Sequence, residues 1–287
     1  MEKTEGIVYI ATGEEFRKEA RYSAKIFKRS NTNTNTCIIS ESISDQDKAM
    51  FDDWIEIESP NYSFQDNIKY IKNSPYEKTI YLDTDIYVDS NISDLFMLLD
   101  SYDLAATHNH HRAKEKVFTN IPKCFPEYNT GVLAYKSNEE IDKFFNEWGD
   151  NYSEDHPGNQ QSFRKTLYES TINYSTLPPE YNLMIRYPGH AVGKVKVFHS
   201  RLIDIDSPGA PKTVDVERAA RKINQHEDHR VFFQKYTNNR ELRIYTKKPE
   251  KEPQKTIVSS INLMRRAISS VRKNGVKSTL VKAKDRL

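Results

Sequence analysis

Cysteine, glycine and tryptophan are scarce in this chain: 287 residues hold two Cys, nine Gly and two Trp. Cys37 and Cys124 make neither a disulfide framework nor a metal-knuckle spacing, so a reducing compartment is expected. With so few glycines there is no G-x-G-x-x-G and no G-x-x-x-x-G-K-[ST], and the dinucleotide and P-loop readings lose their main support. No apolar run approaches the ~18 residues of a membrane span. The apolar stretch 7–11 is too short for the core of a signal peptide. A cytoplasmic protein is therefore expected. What is present is 37% hydrophobic and 29% charged, with seventeen Tyr and thirteen Phe, a composition that folds around a core.

Charge is divided unevenly. Residues 210–287 carry 20 Lys/Arg against 8 Asp/Glu, a net +12, which leaves the first 209 residues at −10. An acidic body followed by a basic tail suggests two jobs on one chain.

Within the body, apolar strands alternate with amphipathic helices. Gly6-Ile7-Val8-Tyr9-Ile10-Ala11 reads as a buried strand closed by Thr12-Gly13, and 14–29 as a helix with Phe16, Ala20, Ala24 and Phe27 on one stripe. Further strands are expected at Cys37-Ile38-Ile39, 54–57, 79–82, 104–107 and 131–135, with a short helix around Ile68 and Ile71 and a longer one over 138–149. This alternation predicts a mixed, mostly parallel sheet with helices on both faces, which collects ligands at the carboxyl ends of its strands. The division expected is an α/β domain over 1–209 and a basic, mostly helical extension over 210–287.

The sharpest chemical signal is Tyr81-Leu82-Asp83-Thr84-Asp85, two carboxylates two residues apart at the end of an apolar strand. Buried there unpaired they would be expensive, so they call for a cation or a dense set of donors. Hard divalent ions prefer such oxygen ligands and bridge them to phosphates. The plain alternative is a strand ending in a turn, one Asp capping and the other solvated. The context includes the small-residue turn Ala11-Thr12-Gly13, the segment Tyr128-Asn129-Thr130-Gly131-Val132, and Val197-Phe198-His199-Ser200-Arg201, where an imidazole ends another strand.

Taken in order, Val8-Tyr9-Ile10-Ala11-Thr12, Tyr81-Leu82-Asp83-Thr84-Asp85, Asn129-Thr130-Gly131-Val132 and Phe198-His199 resemble GT-A-fold glycosyltransferases. The nearest match is glycosyltransferase family 8, the glycogenin and lipopolysaccharide galactosyltransferase group, over about 6–202. The resemblance implies Mn²⁺ or Mg²⁺ held by Asp83, Asp85 and His199 with the diphosphate of a UDP-sugar. It implies a nucleoside pocket at Ile10, Ala11, Thr12 and Phe16, with Thr84 beside it. It places Lys69 near the donor phosphates or sugar, Asn129, Thr130 and Gly131 against the sugar, and Asn159-Gln160 beside the anomeric carbon. Two departures stand out. The family often has Asp-Gln where this chain has Asn159-Gln160, and an amide cannot be a carboxylate nucleophile. The signature after His199 is also shortened, leaving Arg201 and Lys194 as candidates for the phosphate-facing cation. Transfer with retention to a glycan or lipid-linked acceptor is what the family implies.

His108, His110, His111 and Arg112 read as a polar loop rather than a metal tract. Tyr181, Asn182 and Arg186 read either as ligand contacts or as an anchored loop. In 255–287, nine Lys/Arg face one acid, and Ile257, Ile261, Met264, Ile268 and Val271 form one apolar stripe. That pattern suits an anionic membrane surface, peripheral on its cytoplasmic face. A packed helix with solvated charges or a pairing of two chains remains open, and nothing supports nucleic acid. The rivals to a transferase are a nucleotide-sugar-binding protein, a donor hydrolase, an Asp-x-Asp phosphatase and a membrane-binding adaptor.

Overall fold

The computed structural model describes residues 4–109, 118–155, 158–205, 213–234 and 242–246. His110, His111, Arg112 and the basic segment 255–287 lie outside the described residues. The chain divides into a compact unit Met1–Thr246 and a second unit Lys247–Leu287.

A seven-stranded sheet forms the centre. Its strands are β1 (Glu5–Ile10), β2 (Asn35–Ser40), β3 (Asp53–Glu56), β4 (Lys78–Leu82), β6 (Leu104–His108), β7 (Tyr128–Lys136) and β8 (Tyr174–Leu177). The order is β3-β2-β1-β4-β7-β6-β8. All adjacent pairs are parallel except those of β7, which runs against both β4 and β6. The expected mixed, mostly parallel sheet is present, with β7 as its reversed strand.

Period-two alternation sends neighbouring strand residues to opposite faces. Ile7 and Tyr9 join Ile38, Ile80 and Leu82 on one face, where α1 (Glu14–Phe27) packs through Ala20, Ala24 and Phe27, and α4 (Asp94–Leu98) through Leu95 and Phe96. Val8 and Ile10 join Ile39 and Tyr81 on the other, beneath α5 (Glu139–Asn151) and α6 (Gln160–Glu169). Burial on both faces is why the strands read as continuous apolar runs. Trp148 follows the expected stripe into this second core beside Phe144, Phe145 and Phe163. Two short helices, α2 (Asp45–Met50) and α3 (Phe64–Tyr70), complete the body.

A small sheet flanks the carboxyl edge: β5 (Ile86–Val88), β11 (Val197–His199) and β9 (Leu183–Met184). A third comprises β10 (Gly189–Ala191), β12 (Arg230–Gln234) and β13 (Leu242–Thr246). Between them α7 (Val216–Ile223) buries Val216, Ala220 and Ile223 against Phe198 and Ile185. Residues 213–246 fall within the first unit, which extends past position 209 to Thr246. At Gly189 an added Cβ would lie 2.7 Å from Phe232 Cζ, so β12 crosses β10 only where a side chain is missing.

Candidate active site

Backbone ladders on two sides pin the Asp-Thr-Asp segment between β4 and β5. Asp83 donates its N–H to Gly131 O at 2.9 Å, and Ser200 N–H donates to Asp85 O at 3.0 Å. The β5/β11 register sets His199 opposite Ile86. Strand pairing therefore brings His199 to Asp83 and Asp85, more than a hundred residues earlier in the chain, and each offers a ligand atom within 4.8 Å of the others. His199 Nε2 lies 3.2 Å from Asp85 Oδ1. Tyr81 donates its hydroxyl to Asp83 Oδ1. A Cβ on Gly131 would sit 2.5 Å from His199 Cε1 and 2.9 Å from Asp83 Oδ2, so only glycine admits the cluster.

The two aspartates are tuned in opposite directions. Burial first, and then the charge of Asp85, push Asp83 up to about 6. Burial would raise Asp85 too, but His199 and Arg201 outweigh it and hold this carboxyl well below the usual range. For His199 burial works against the charged ring, yet neighbouring Asp85 leaves its pKa raised. Two carboxylate oxygens and an imidazole nitrogen form a donor set that fits Mn²⁺ or Mg²⁺, with the nitrogen favouring the softer ion. A dication there would relieve the repulsion that raises Asp83.

Glu19 was not found from the sequence. It is fully buried on α1, and its carboxylate accepts from Thr84 Oγ1 at 2.8 Å, from Leu202 N–H at 2.8 Å and from Arg201 Nη1. Burial and nearby Asp85 raise its pKa against the pull of Arg201. Arg201 is thereby held with Nη2 3.9 Å from Asp85 Oδ2. Thr84, expected at the ligand, turns inward to Glu19 instead. Lys194 pairs with Asp89 at 3.7 Å, while the positive charges of Arg201 and Arg186 both act on Asp85.

At the end of β1, the side chains of Ile10, Ala11 and Thr12 are buried. Thr12 Oγ1 donates to Asp66 Oδ2 at 2.8 Å, and Asp66 also accepts the N–H groups of Asn61 and Tyr62, each at 2.8 Å. Tyr62 holds a positive φ of 52°. Gly13, at φ 94°, would bring a Cβ within 3.9 Å of both Phe16 and Tyr62. Those rings are 39% and 63% exposed, flanking the mouth of the strand, and the Arg201 guanidinium lies 5.6 Å over the Phe16 ring. Phe16 was expected here; Tyr62 and Asp66 were not.

Opposite, β7 is irregular where Asn129, Thr130 and Gly131 occur. Its register with β6 slips between Ala106 and Thr107, and such bulges re-aim side chains beside sites. Thr130 Oγ1 donates to Asn159 Oδ1 at 3.1 Å. Asn109 Nδ2 donates to Gln160 Oε1 at 2.5 Å. Asn159 and Gln160 thus open α6 beside the bulge. Lys69 is not brought to the acidic cluster. It lines a cleft of about 480 Å³ between α3 and α5 with Gln65, Lys72, Asn146 and Asp150. His108 ends β6 with its ring 4.9 Å from that of Tyr128.

The sequence profile of nucleotide-diphospho-sugar transferases matches residues 77–198, less than half of the chain. No curated protein matches. Among solved structures, the glycosyltransferase GlyE of Streptococcus pneumoniae TIGR4 is similar at 17% identity and a TM-score of 0.50, over 78% of this chain and 61% of that one. The chain thus spans under two thirds of GlyE. The galactosyltransferase LgtC, solved with donor and acceptor sugar analogues, is similar at 16% identity and a TM-score of 0.53, over 77% of this chain and 94% of that one. At such identities the likeness is one of fold. The chain has a GT-A fold, and it resembles the nucleotide-diphospho-sugar transferases, family 8 among them.

Proposed function

We propose that the protein is a metal-dependent glycosyltransferase that moves a sugar from a UDP-sugar to a glycan or lipid-linked acceptor with retention. The observation that carries this reading is the Asp83–Asp85–His199 cluster at the carboxyl edge of a GT-A sheet. Asp83, Asp85 and His199 would hold Mn²⁺ or Mg²⁺, whose chemistry is to stabilise the departing diphosphate. Arg201, set by Glu19, adds a fixed positive charge on the same side. Phe16 and Tyr62 flank the nucleobase, with Asp66 fixing the Tyr62 loop. Asn129, Thr130 and Gly131 face the sugar.

Asn159 supports a front-face route. Its amide cannot form a glycosyl ester, and its Oδ1 already accepts from Thr130. In the proposed step the bond from the anomeric carbon to the diphosphate oxygen breaks as the acceptor oxygen bonds the same face. The acceptor proton passes to the departing phosphate oxygen. Orientation of the acceptor supplies much of the rate. The same amide also favours a second reading, donor hydrolysis, in which water takes the acceptor's place.

Residues 255–287 are assigned to an anionic membrane surface on the cytoplasmic side, on the strength of nine basic residues along one apolar stripe. A screen of UDP-sugars with Mn²⁺, scored for UDP release with and without glycan acceptors, tests the reading. Acceptor-stimulated release that vanishes in Asp83→Asn supports transfer. Release indifferent to every acceptor would favour the hydrolase.

A further inference from the structure

We propose that Asn182 is a positioning residue that selects which nitrogen of His199 faces the acidic pair. The inference rests on the metal-site reading above. Asn182 is buried without solvent contact, between the short 3-10 helix Pro179–Tyr181 and β9. Its orientation follows from an unambiguous donor. The Gly131 N–H donates to Asn129 Oδ1 at 3.0 Å, which fixes that atom as an oxygen. Asn182 approaches the same oxygen at 2.7 Å and must do so with its Nδ2–H. Its Oδ1 then points to His199 Nδ1, 3.0 Å away, and an amide oxygen only accepts. His199 Nδ1 therefore carries a proton, and in the neutral ring it is the protonated nitrogen.

The consequence lies on the far side of the ring. Nε2 is 3.2 Å from Asp85 Oδ1, and Asp85 is itself an acceptor that would draw the proton of a neutral imidazole onto Nε2. A proton there would occupy the lone pair needed for a cation. Asn182 reverses that choice: with Nδ1–H committed to its amide, Nε2 presents its lone pair beside Asp83 and Asp85. A partner on the distal nitrogen fixes tautomer and ring orientation of a ligating histidine. The relay runs from His199 through Asn182 to Asn129 and the Gly131 backbone. It therefore ties the imidazole to the bulge that faces the proposed sugar site.

Two readouts test this on the full chain, neither needing turnover. The first is the ring tautomer of His199 in metal-free protein, from long-range ¹⁵N–¹H correlation at alkaline pH where the ring is neutral. Wild type should show Nδ1–H and Asn182→Leu should shift to Nε2–H; an Nε2–H wild type overturns the proposal. The second is Mn²⁺ affinity, from the electron paramagnetic resonance signal of free Mn²⁺. Asn182→Leu should weaken it about 10–100-fold. Asn182→Asp, whose carboxylate still accepts from Nδ1–H, should stay much nearer wild type. A folded Asn182→Leu protein with wild-type affinity, or an Asn182→Asp protein as weak as the leucine variant, overturns it. Should the leucine variant not fold, the wild-type tautomer and the aspartate variant decide. Wild type that binds no Mn²⁺ and is unchanged by Asp85→Asn defeats the metal-site reading instead, while the tautomer still judges the relay.

Discussion

The two ends of the proposed donor site are built on different principles. At the Asp83–Asp85–His199 end, strand ladders fix the backbone, and charged side chains lie packed against one another with their pKa values pulled apart. At the β1 end, one buried carboxylate, Asp66, holds a loop by its N–H groups, and two aromatic rings stand open to solvent. On the proposed reading, the first end stores electrostatic cost that a cation would relieve, and the second keeps apolar area uncovered that a ligand would cover. The first should be intolerant of small steric changes. The second should tolerate changes at its rings but not beneath them.

The sharpest break should come from Gly131→Ala. Its Cβ would lie 2.5 Å from His199 Cε1, so metal-dependent UDP binding should be lost by calorimetry. Overpacking should also cost about 1–3 kcal/mol of stability, read as a lower melting temperature. Next, Asp66→Ala strips three donors of their acceptor at a buried position, and one such loss costs about 1–3 kcal/mol. The account expects denaturant unfolding to show that loss while Mn²⁺ affinity is retained, separating the two ends. Tyr62→Ala should leave stability within error and weaken UDP by the ~1–3 kcal/mol that base stacking contributes. Equal UDP affinity in that variant would remove Tyr62 from the base site.

The smallest effect is the most discriminating. A carboxyl raised in the folded state, as Asp83 is, binds its proton more tightly there than when unfolded. Metal-free stability through Asp83 therefore falls as pH rises from about 4, the unfolded carboxylate value, to about 6. Asp85 is lowered, so its contribution is present above about pH 4 and is lost as pH falls through its depressed folded value. Without metal at pH 7.5, Asp83→Asn should raise the melting temperature and Asp85→Asn should lower it. Both differences should shrink in acid, and shifts of the same sign would refute the assignment.

What could be read from the sequence follows the same division. The acidic pair, His199, Arg201 and the Asn129–Gly131 segment were legible because local composition at strand ends advertises charge and close approach. Glu19 was not, although it lies on the ridge beside the Phe16–Ala20 stripe, because a glutamate on a helix reads as solvated until its partners 65 and 182 residues away are known. Asp66 was hidden likewise. Lys69 drew attention by its distance from Asp83, but spacing does not say which helix face a residue takes. Three residues along α3 separate the side that meets Thr12 from the side that meets α5. The direction of β7 was also illegible, since an apolar strand has the same pattern either way. Asn182 looked equally like an anchor or a contact, and the hydrogen bonds make it an anchor for His199.

The central claim is a metal-dependent nucleotide-diphosphate site at Asp83, Asp85 and His199. Calorimetric titration of UDP with and without Mn²⁺, on wild type and on the Asp83→Asn/Asp85→Asn double variant, tests it most directly. The account predicts binding that requires the metal and disappears in the double variant. UDP binding that ignores the metal, or survives both substitutions, would contradict it.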